Sequence, residues 1–378
     1  MKSKIKYGII FLFILAAVIL SINLNKPHKE QILKGKIEII AYESTYDYLV
    51  ECADKFMELN DKTDVIVKKI YDKDEILEEI NNNNKITYIA QINRSDYDSM
   101  ELEKSNYLGE QDNILNNYSK NFAKYRLGQV KYDDNSIGIP FLSRPLALYV
   151  REDMLEQYGY SREEMNTWDD VIKIGMDIYE KSNGKVRILN ATGQDYDDLV
   201  SLLIMEYMSK DSDKEHVKSQ VSAMLDDLNN KNILNLYDGG EFLCRISSIN
   251  AIKEIAAIDV ECTWSVGNVP SISHGTSKFY GNEGDNLVVL NYITENNKLA
   301  EKFITYVITN NSDAVNYVAQ GKFFSSYLYT YKNKDIEIMP KNFVRNSPLV
   351  ILDNIEEKAN SIDDYSEYIN IKNSILGS

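Results

Sequence analysis

Residues 130–184 read VKYDDNSIGIPFLSRPLALYVREDMLEQYGYSREEMNTWDDVIKIGMDIYEKSNG, and their order of signals decides the fold. The β-prone runs Val130–Tyr132 and Ile137–Ile139 flank Asp133-Asp134-Asn135, a turn composition that predicts a hairpin. Pro140, which has no N–H to give, is expected to end that ladder. Leu146–Val150 is an apolar run long enough for a buried strand and too short for a helix. Thr167 with Asp170 three residues on pairs a hydroxyl and a carboxylate at a helix start. Val171, Ile174, Ile178 and Tyr179 then share one face, and Gly184 stands where a C-terminal stop belongs. By themselves a hairpin, a strand and a capped helix fit many α/β proteins.

On the N-terminal side, Lys36–Tyr42 (KIEIIAY) predicts a first strand. Leu49, Cys52, Ala53, Phe56 and Leu59 then repeat at helical spacing behind Ser44 and Thr45. Val65–Ile70 and Thr87–Ile92 predict two more strands around a short helix from Asp74 to Asn81, an alternation that gives parallel strands covered by helices. On the C-terminal side, Val186–Leu189 predicts a strand whose polar loop opens a helix to Met208. Ligands of open α/β sheets bind beyond the carboxyl ends of the strands. Tyr42, Glu43, Ser44, Arg94, Ser95, Asp96, Gln194 and Asp195 occupy such ends.

The 378 residues exceed one ordinary core and predict two domains. A formal charge of −16 argues against nucleic acid, whose phosphates need clustered Lys and Arg. Lys2, Lys4 and Lys6 precede the apolar run Tyr7–Leu20, so residues 1–25 read as a signal anchor or signal peptide with the charged end cytoplasmic. No small-x-small cleavage site stands out. The expectation is therefore a chain tethered at the extracytoplasmic face of the cell membrane, or secreted if the segment is cleaved. Of the three cysteines, Cys52 falls on an apolar helix face, and a Cys244–Cys262 bridge is left open.

The series Gly138-Ile139-Pro140, Leu148-Tyr149-Val150-Arg151-Glu152-Asp153-Met154-Leu155, Tyr158-Gly159 and Thr167-Trp168-Asp169-Asp170 resembles extracellular solute-binding protein family 1. Those are the maltose-binding-protein-like, sugar-binding components of ABC importers. Met165-Asn166 replaces the family's Pro-x before Thr167, and Asp170 replaces a Glu. Trp264–Pro270 (WSVGNVP) is similar to the family's return crossing, and Asn296–Ile308 and Ser312–Gly321 to the two helices that follow. Glu241–Ser248 (EFLCRISS) departs from the family's small-residue pattern.

The resemblance implies a class II, two-lobe periplasmic-binding-protein-like α/β fold, each lobe a mainly parallel sheet flanked by helices, with hinge crossings. Residues 36–143 and 265–310 would build lobe 1, and residues 146–263 and 311–378 lobe 2. The crossings would lie near Ser143–Leu146 and Trp264–Pro270. It further implies a monomeric substrate-binding component of an ABC importer. Closure of the lobes would capture a carbohydrate (oligosaccharide) or similar polar solute, and the closed form would dock on permease subunits in the membrane. The alternative is a transport-deficient homologue acting as a sensor or scaffold receptor, motivated by EFLCRISS and by the lack of a lipid-bearing Cys after the apolar run. An exported glycan-active enzyme is a lesser alternative.

Sugars are held by aromatic faces and by planar polar side chains. The ligand-binding candidates are Tyr42, Glu43, Asp96, Gln194 and Asp195 at strand ends, Arg144 at the first crossing, Trp264 on the return strand, and Tyr280 and Glu283 in the glycine-containing loop 271–285. Trp168, at a helix start, reads as core. No G-x-S-x-G, P-loop or H-E-x-x-H pattern occurs and the three His are far apart. No catalytic residue, metal or cofactor is expected.

Overall fold

β1 (Gly35–Tyr42) feeds α1 (Glu43–Leu59), which buries Tyr48, Leu49, Cys52, Ala53 and Phe56. β2 (Thr63–Ile70), α2 (Asp74–Asn82) and β3 (Thr87–Ile92) follow. β1 pairs in parallel with both β2 and β3. Every residue of β3 is buried, as a strand covered on both faces requires. The computed structural model from which this description comes covers residues 32–82, 86–102, 112–132, 135–211, 213–290, 296–362 and 364–377. The anchor expected in residues 1–25 lies outside them. Among the described residues no helix is long and apolar enough to cross a membrane.

α3 (Arg94–Ser99) is capped by the Asn93 side chain, which accepts from the Asp96 N–H. α4 (Asp112–Tyr118) and α5 (Lys124–Gln129) lead to β4 (Lys131–Tyr132) and β5 (Asn135–Ser136), which pair antiparallel. The hairpin is shorter than the sequence predicted. β6 (Ile139–Pro140) does not extend it but joins the edge of a larger sheet, a position where proline is tolerated.

β7 (Arg144–Pro145) then leads into β8 (Ala147–Arg151) and α6 (Glu152–Gln157). α7 (Trp168–Lys181) starts on the expected capping box, the Asp170 carboxylate accepting from the Thr167 N–H at 2.9 Å. β9 (Val186–Asn190), α8 (Gln194–Met208), α9 (Lys214–Asn230), β10 (Leu234–Asn235), β11 (Glu241–Ser247), α10 (Asn250–Ala256) and β12 (Trp264–Gly267) complete this half. The chain returns through β13 (Gly281–Asn282) to β14 (Asn286–Leu290), and α11 (Asn297–Thr309), α12 (Asn311–Ala319), α13 (Pro348–Lys358) and α14 (Tyr365–Leu376) finish it.

Two five-stranded sheets result, ordered β2-β1-β3-β14-β6 and β10-β9-β11-β8-β12. Their plans match: three parallel strands, then one antiparallel strand, β14 or β8, that also pairs antiparallel with the edge strand. Ile40, Ile70, Tyr88, Ala90 and Val288 pack in the first lobe, and Leu148, Val150, Ile188, Leu203 and Ile246 in the second. Cys52, Cys244 and Cys262 are buried and unbridged.

Among the described residues β7 and β13 pair only with each other, antiparallel, so the two crossings between the sheets run side by side. The return crossing therefore lies further along the chain than the Trp264–Pro270 expectation. Residues 264–267 are hydrogen-bonded to β8, inside the second sheet. Gly281 is required at the crossing because a Cβ there would run into the Tyr125 ring. The segment after residue 310, assigned wholly to lobe 2 by the sequence, serves both lobes. α12 is tied to α1 through Lys55–Asp313 at 2.7 Å and Tyr317–Glu51 at 2.9 Å, while α14 packs on α8 and α9.

Candidate functional site

The paired crossings carry a polar cluster. Arg144 of β7 meets Asp198 of α8 at 3.1 Å, and Asp198, fully buried, also accepts from Asn282 at 2.7 Å and Gln194 at 3.2 Å. These donors converge because the chain swings from β9 into α8 through Gly193, whose φ of 54° brings the helix start up to the crossing. Tyr368 of α14 donates to the side-chain Oδ1 of Asn282 at 3.0 Å, and Lys372 donates to Asp197 at 3.1 Å.

On the first-lobe side, Ser95 donates to Glu283 from its hydroxyl at 2.7 Å and from its N–H. Gln91 donates to Asp285 and accepts from Thr45, each at 2.5 Å. Burial pushes the carboxyls of Asp285 and Glu283 above their ordinary range. Gln91, Arg126 and Arg144 pull Asp285 back, and Ser95 does so for Glu283.

A cavity of about 620 Å³ opens between the lobes. Glu43, Ser44 and Asp47 of α1 and Gly321-Lys322 line it from the first lobe, and Asn250, Lys253, Glu254 and Ala257, in and just after α10, from the second. The N-cap of α1, Tyr42, makes no side-chain capping bond. Glu43 pairs with Lys69 at 2.7 Å and Asp47 with Lys322 at 3.5 Å. Glu254 pairs with Arg245 at 2.5 Å, and the same guanidinium holds the buried Asp195 at 2.7 Å. No aromatic side chain is among the described residues lining this cavity. Lys322, which lines the cavity, lies over the ring of Tyr317 with its ammonium 4.9 Å from the centroid.

The nine sequence candidates divide into three groups. Arg144, Gln194 and Glu283 meet at the crossings, and Tyr42 and Asp96 lie close enough to Asp285 for the charges to act on one another. Glu43 faces the interlobe cavity, and Asp195 connects to it through Arg245. Trp264 and Tyr280 are not brought to either place. Trp264 is buried edge-on to Phe242, 6.4 Å between centroids, and Tyr280 is buried beside a different cavity in the second lobe. Sequence reasoning passed over Asn250, Lys253, Glu254 and Lys322, because α10 announces itself only through its apolar face, Ile252 and Ile255. Asp198 and Asn282 had no motif to mark them.

Residues 89–314, more than half of the 378-residue chain, match the family described as bacterial extracellular solute-binding protein. The chain belongs to that family. Over 72 residues it is 38% identical to a lactose-binding protein of Rhizobium radiobacter, a match covering 18% of this chain and 17% of that protein. The architecture is similar to the sugar-binding protein MalE of Xanthomonas citri, with a TM-score of 0.71, 12% identity and 90% of each chain covered. It is also similar to the GacH receptor of Streptomyces glaucescens GLA.O, with a TM-score of 0.65, 14% identity and 91% and 94% covered. At such identities the likeness is one of fold, and the fold of this family member is the two-lobe α/β architecture of periplasmic binding proteins.

Proposed function

We propose that this protein is the extracytoplasmic substrate-binding component of an ABC importer and captures a carbohydrate or similar polar solute between its lobes. The observation that carries the reading is the interlobe cavity, with walls supplied by α1 on one side and α10 on the other. A solute there touches both lobes at once, so its binding energy favours the closed arrangement over any arrangement in which only one wall is reached. Ser44, Asn250, Lys253 and the carboxylates offer donors and acceptors for hydroxyl groups. The related lactose-binding protein and the sugar-binding MalE support carbohydrate as the solute class. Binding rather than turnover is the expected activity, and membrane permease subunits are the partners of the closed form.

Calorimetric titration of the purified chain with lactose, maltose and maltotriose tests this. Saturable binding without cleavage of the sugar is expected, and release of monosaccharide products would overturn the reading.

A second reading, a receptor or scaffold that has kept the fold without transport, is favoured by one feature. None of the described residues lining the interlobe cavity is aromatic, so a sugar ring finds no face there to stack on. Absence of binding to every sugar tested, with the protein fully folded, would favour that reading.

A further inference from the structure

Glu356 of α13 has no exposed surface, and it is tied to both crossings at once. Its Oε1 accepts from the hydroxyl of Ser143, the residue directly before β7, at 2.6 Å, and its Oε2 accepts from the Tyr125 hydroxyl at 2.5 Å. The Tyr125 ring in turn occupies the space beside Gly281 of β13. Ser326 stands behind Ser143, with 2.8 Å between hydroxyl oxygens, and Arg126 Nε donates to Ser326 at 3.4 Å. Nη2 of the same guanidinium donates to the Asp285 carbonyl oxygen at 2.8 Å and to Asn286 Oδ1 at 2.7 Å, just past β13. A buried chain of donors therefore runs from the exit of the return crossing to the entrance of the outgoing one, and it ends on a single carboxylate.

The direction of that chain is fixed. A guanidinium has no lone pair to offer, so Arg126 only donates. Ser143 gives its one proton to Glu356 and therefore accepts from Ser326, which accepts from Arg126. An added proton on Glu356 needs an acceptor, yet both hydroxyls beside the carboxylate already point their protons at it, so one of them has to turn round. If Ser143 turns, Ser326 loses its acceptor, and Arg126 cannot supply another. If Tyr125 turns, a charge-assisted bond becomes a neutral one of roughly half the strength. Either way the hold on a crossing weakens.

We infer that Glu356 is a proton-controlled clasp on the paired crossings: ionised, it holds Ser143 and Tyr125 and fixes the lobes, and protonated, it frees the crossings so that the lobes separate more readily. It lines no part of the interlobe cavity, so it is a positioning residue and works with or without a solute.

The surroundings put the switch within reach of ordinary pH. Burial pushes the Glu356 carboxyl from 4.5 up to about 7, and Asp353 on its own helix adds to the shift, while Ser143, Tyr125 and Arg126 oppose it. Among the other elements packed on α13, the turn Leu328–Lys332 brings Tyr331, whose hydroxyl donates to the Ser325 carbonyl oxygen. Arg144 of β7 is held by Asp198, and Tyr149 of β8 donates to the Ser248 carbonyl oxygen. β12 carries no titratable side chain, and Lys334, Asp335 and Glu337 in the turn Lys334–Glu337 are exposed.

The test is the distance between lobes, measured on the full chain without solute by double electron–electron resonance at pH 5.5, 7 and 8.5. One spin label goes on Leu59→Cys of the first lobe and one on Met176→Cys of the second, both exposed positions, while the three native cysteines are buried. The expected result is a longer-distance population at least about threefold larger at pH 5.5 than at pH 8.5, with its midpoint near 7. Glu356→Gln, neutral at every pH, should show the acid population throughout. Asp353→Asn, which removes a neighbouring carboxyl raised to about 6, should keep the transition. Ser143→Ala cuts the chain beside the carboxylate and should keep the longer-distance population large at pH 8.5, which preserves the test if Glu356→Gln does not fold. A label pair within the second lobe, Met176→Cys with Val260→Cys, should not change. An interlobe distance indifferent to pH, a transition that survives Glu356→Gln or is lost in Asp353→Asn, a Ser143→Ala variant that behaves like the unmodified chain, or an equal change within the second lobe would each overturn the inference.

Discussion

Asp198 has no exposed surface, and donors from Arg144, Asn282 and Gln194 converge on it. Replacing Arg144 with Met leaves that carboxylate buried with neutral donors only. Because the Arg144 side chain is 27% exposed, the loss should fall below that of a fully buried pair, about 2–3 kcal/mol in urea denaturation, and adding Asp198→Asn should recover part of it. A loss under about 0.5 kcal/mol would show that the pair does not hold the crossing.

Glu206 makes a pH prediction. Burial pushes its carboxyl from 4.5 up to about 8, and Trp168 Nε1, at 2.7 Å, is the donor that opposes the shift. The folded chain therefore keeps a proton that the unfolded chain has already released. Its contribution is complete below the unfolded value and is lost as pH rises through about 8, so this group makes stability fall from mildly acidic to basic pH. Glu206→Gln cannot ionise and should match the unmodified protein near pH 4. It should exceed it near pH 8.5 by on the order of 2–4 kcal/mol, read from denaturation curves at each pH. Parallel pH profiles would contradict this. At this scale the sequence was legible where chemistry and position coincide, as for Arg144 directly before Pro145 at the crossing. It was not legible for Trp264, whose placement depends on which neighbour its strand pairs with.

Among elements, those with a period were readable. α1 and α7 bury the faces that helical spacing marks, and Thr167 with Asp170 caps α7 as its sequence requires. Thr167→Ala should cost about 1 kcal/mol, measured by thermal or urea unfolding. β13 has two residues and hence no period, and nothing local could separate it from the loop around it. That is why the return crossing was expected at the more conspicuous Trp264–Pro270. Gly281→Ala tests the crossing as a structural unit. A methyl group there collides with Tyr125, whose hydroxyl is fixed by its bond to the buried Glu356, and a loss of about 1–3 kcal/mol in urea denaturation is expected. Full stability of Gly281→Ala alone would mean that the crossings do not pack as described.

For the whole molecule, the alternation of strands and helices made two α/β lobes legible, because each β-α-β unit has a single favoured handedness. The assignment of the C-terminal segment was not legible. α12 and α14 have apolar faces of the same kind, and only tertiary packing sends one to α1 and the other to α8. The same limit applies to the interlobe cavity, whose walls come from residues 43–47, 250–257 and 321–322, stretches far apart in sequence. The central claim is that a polar solute occupies that space and holds the lobes together. Thermal unfolding against a panel of disaccharides and trisaccharides, run on the unmodified chain and on Ala257→Trp, tests it most directly. The account predicts that at least one sugar raises the unfolding midpoint of the unmodified chain, a ligand at about 100 times its Kd adding about 2.7 kcal/mol, and that the plugged variant loses the shift. No shift with any sugar, or an equal shift in both proteins, would contradict it.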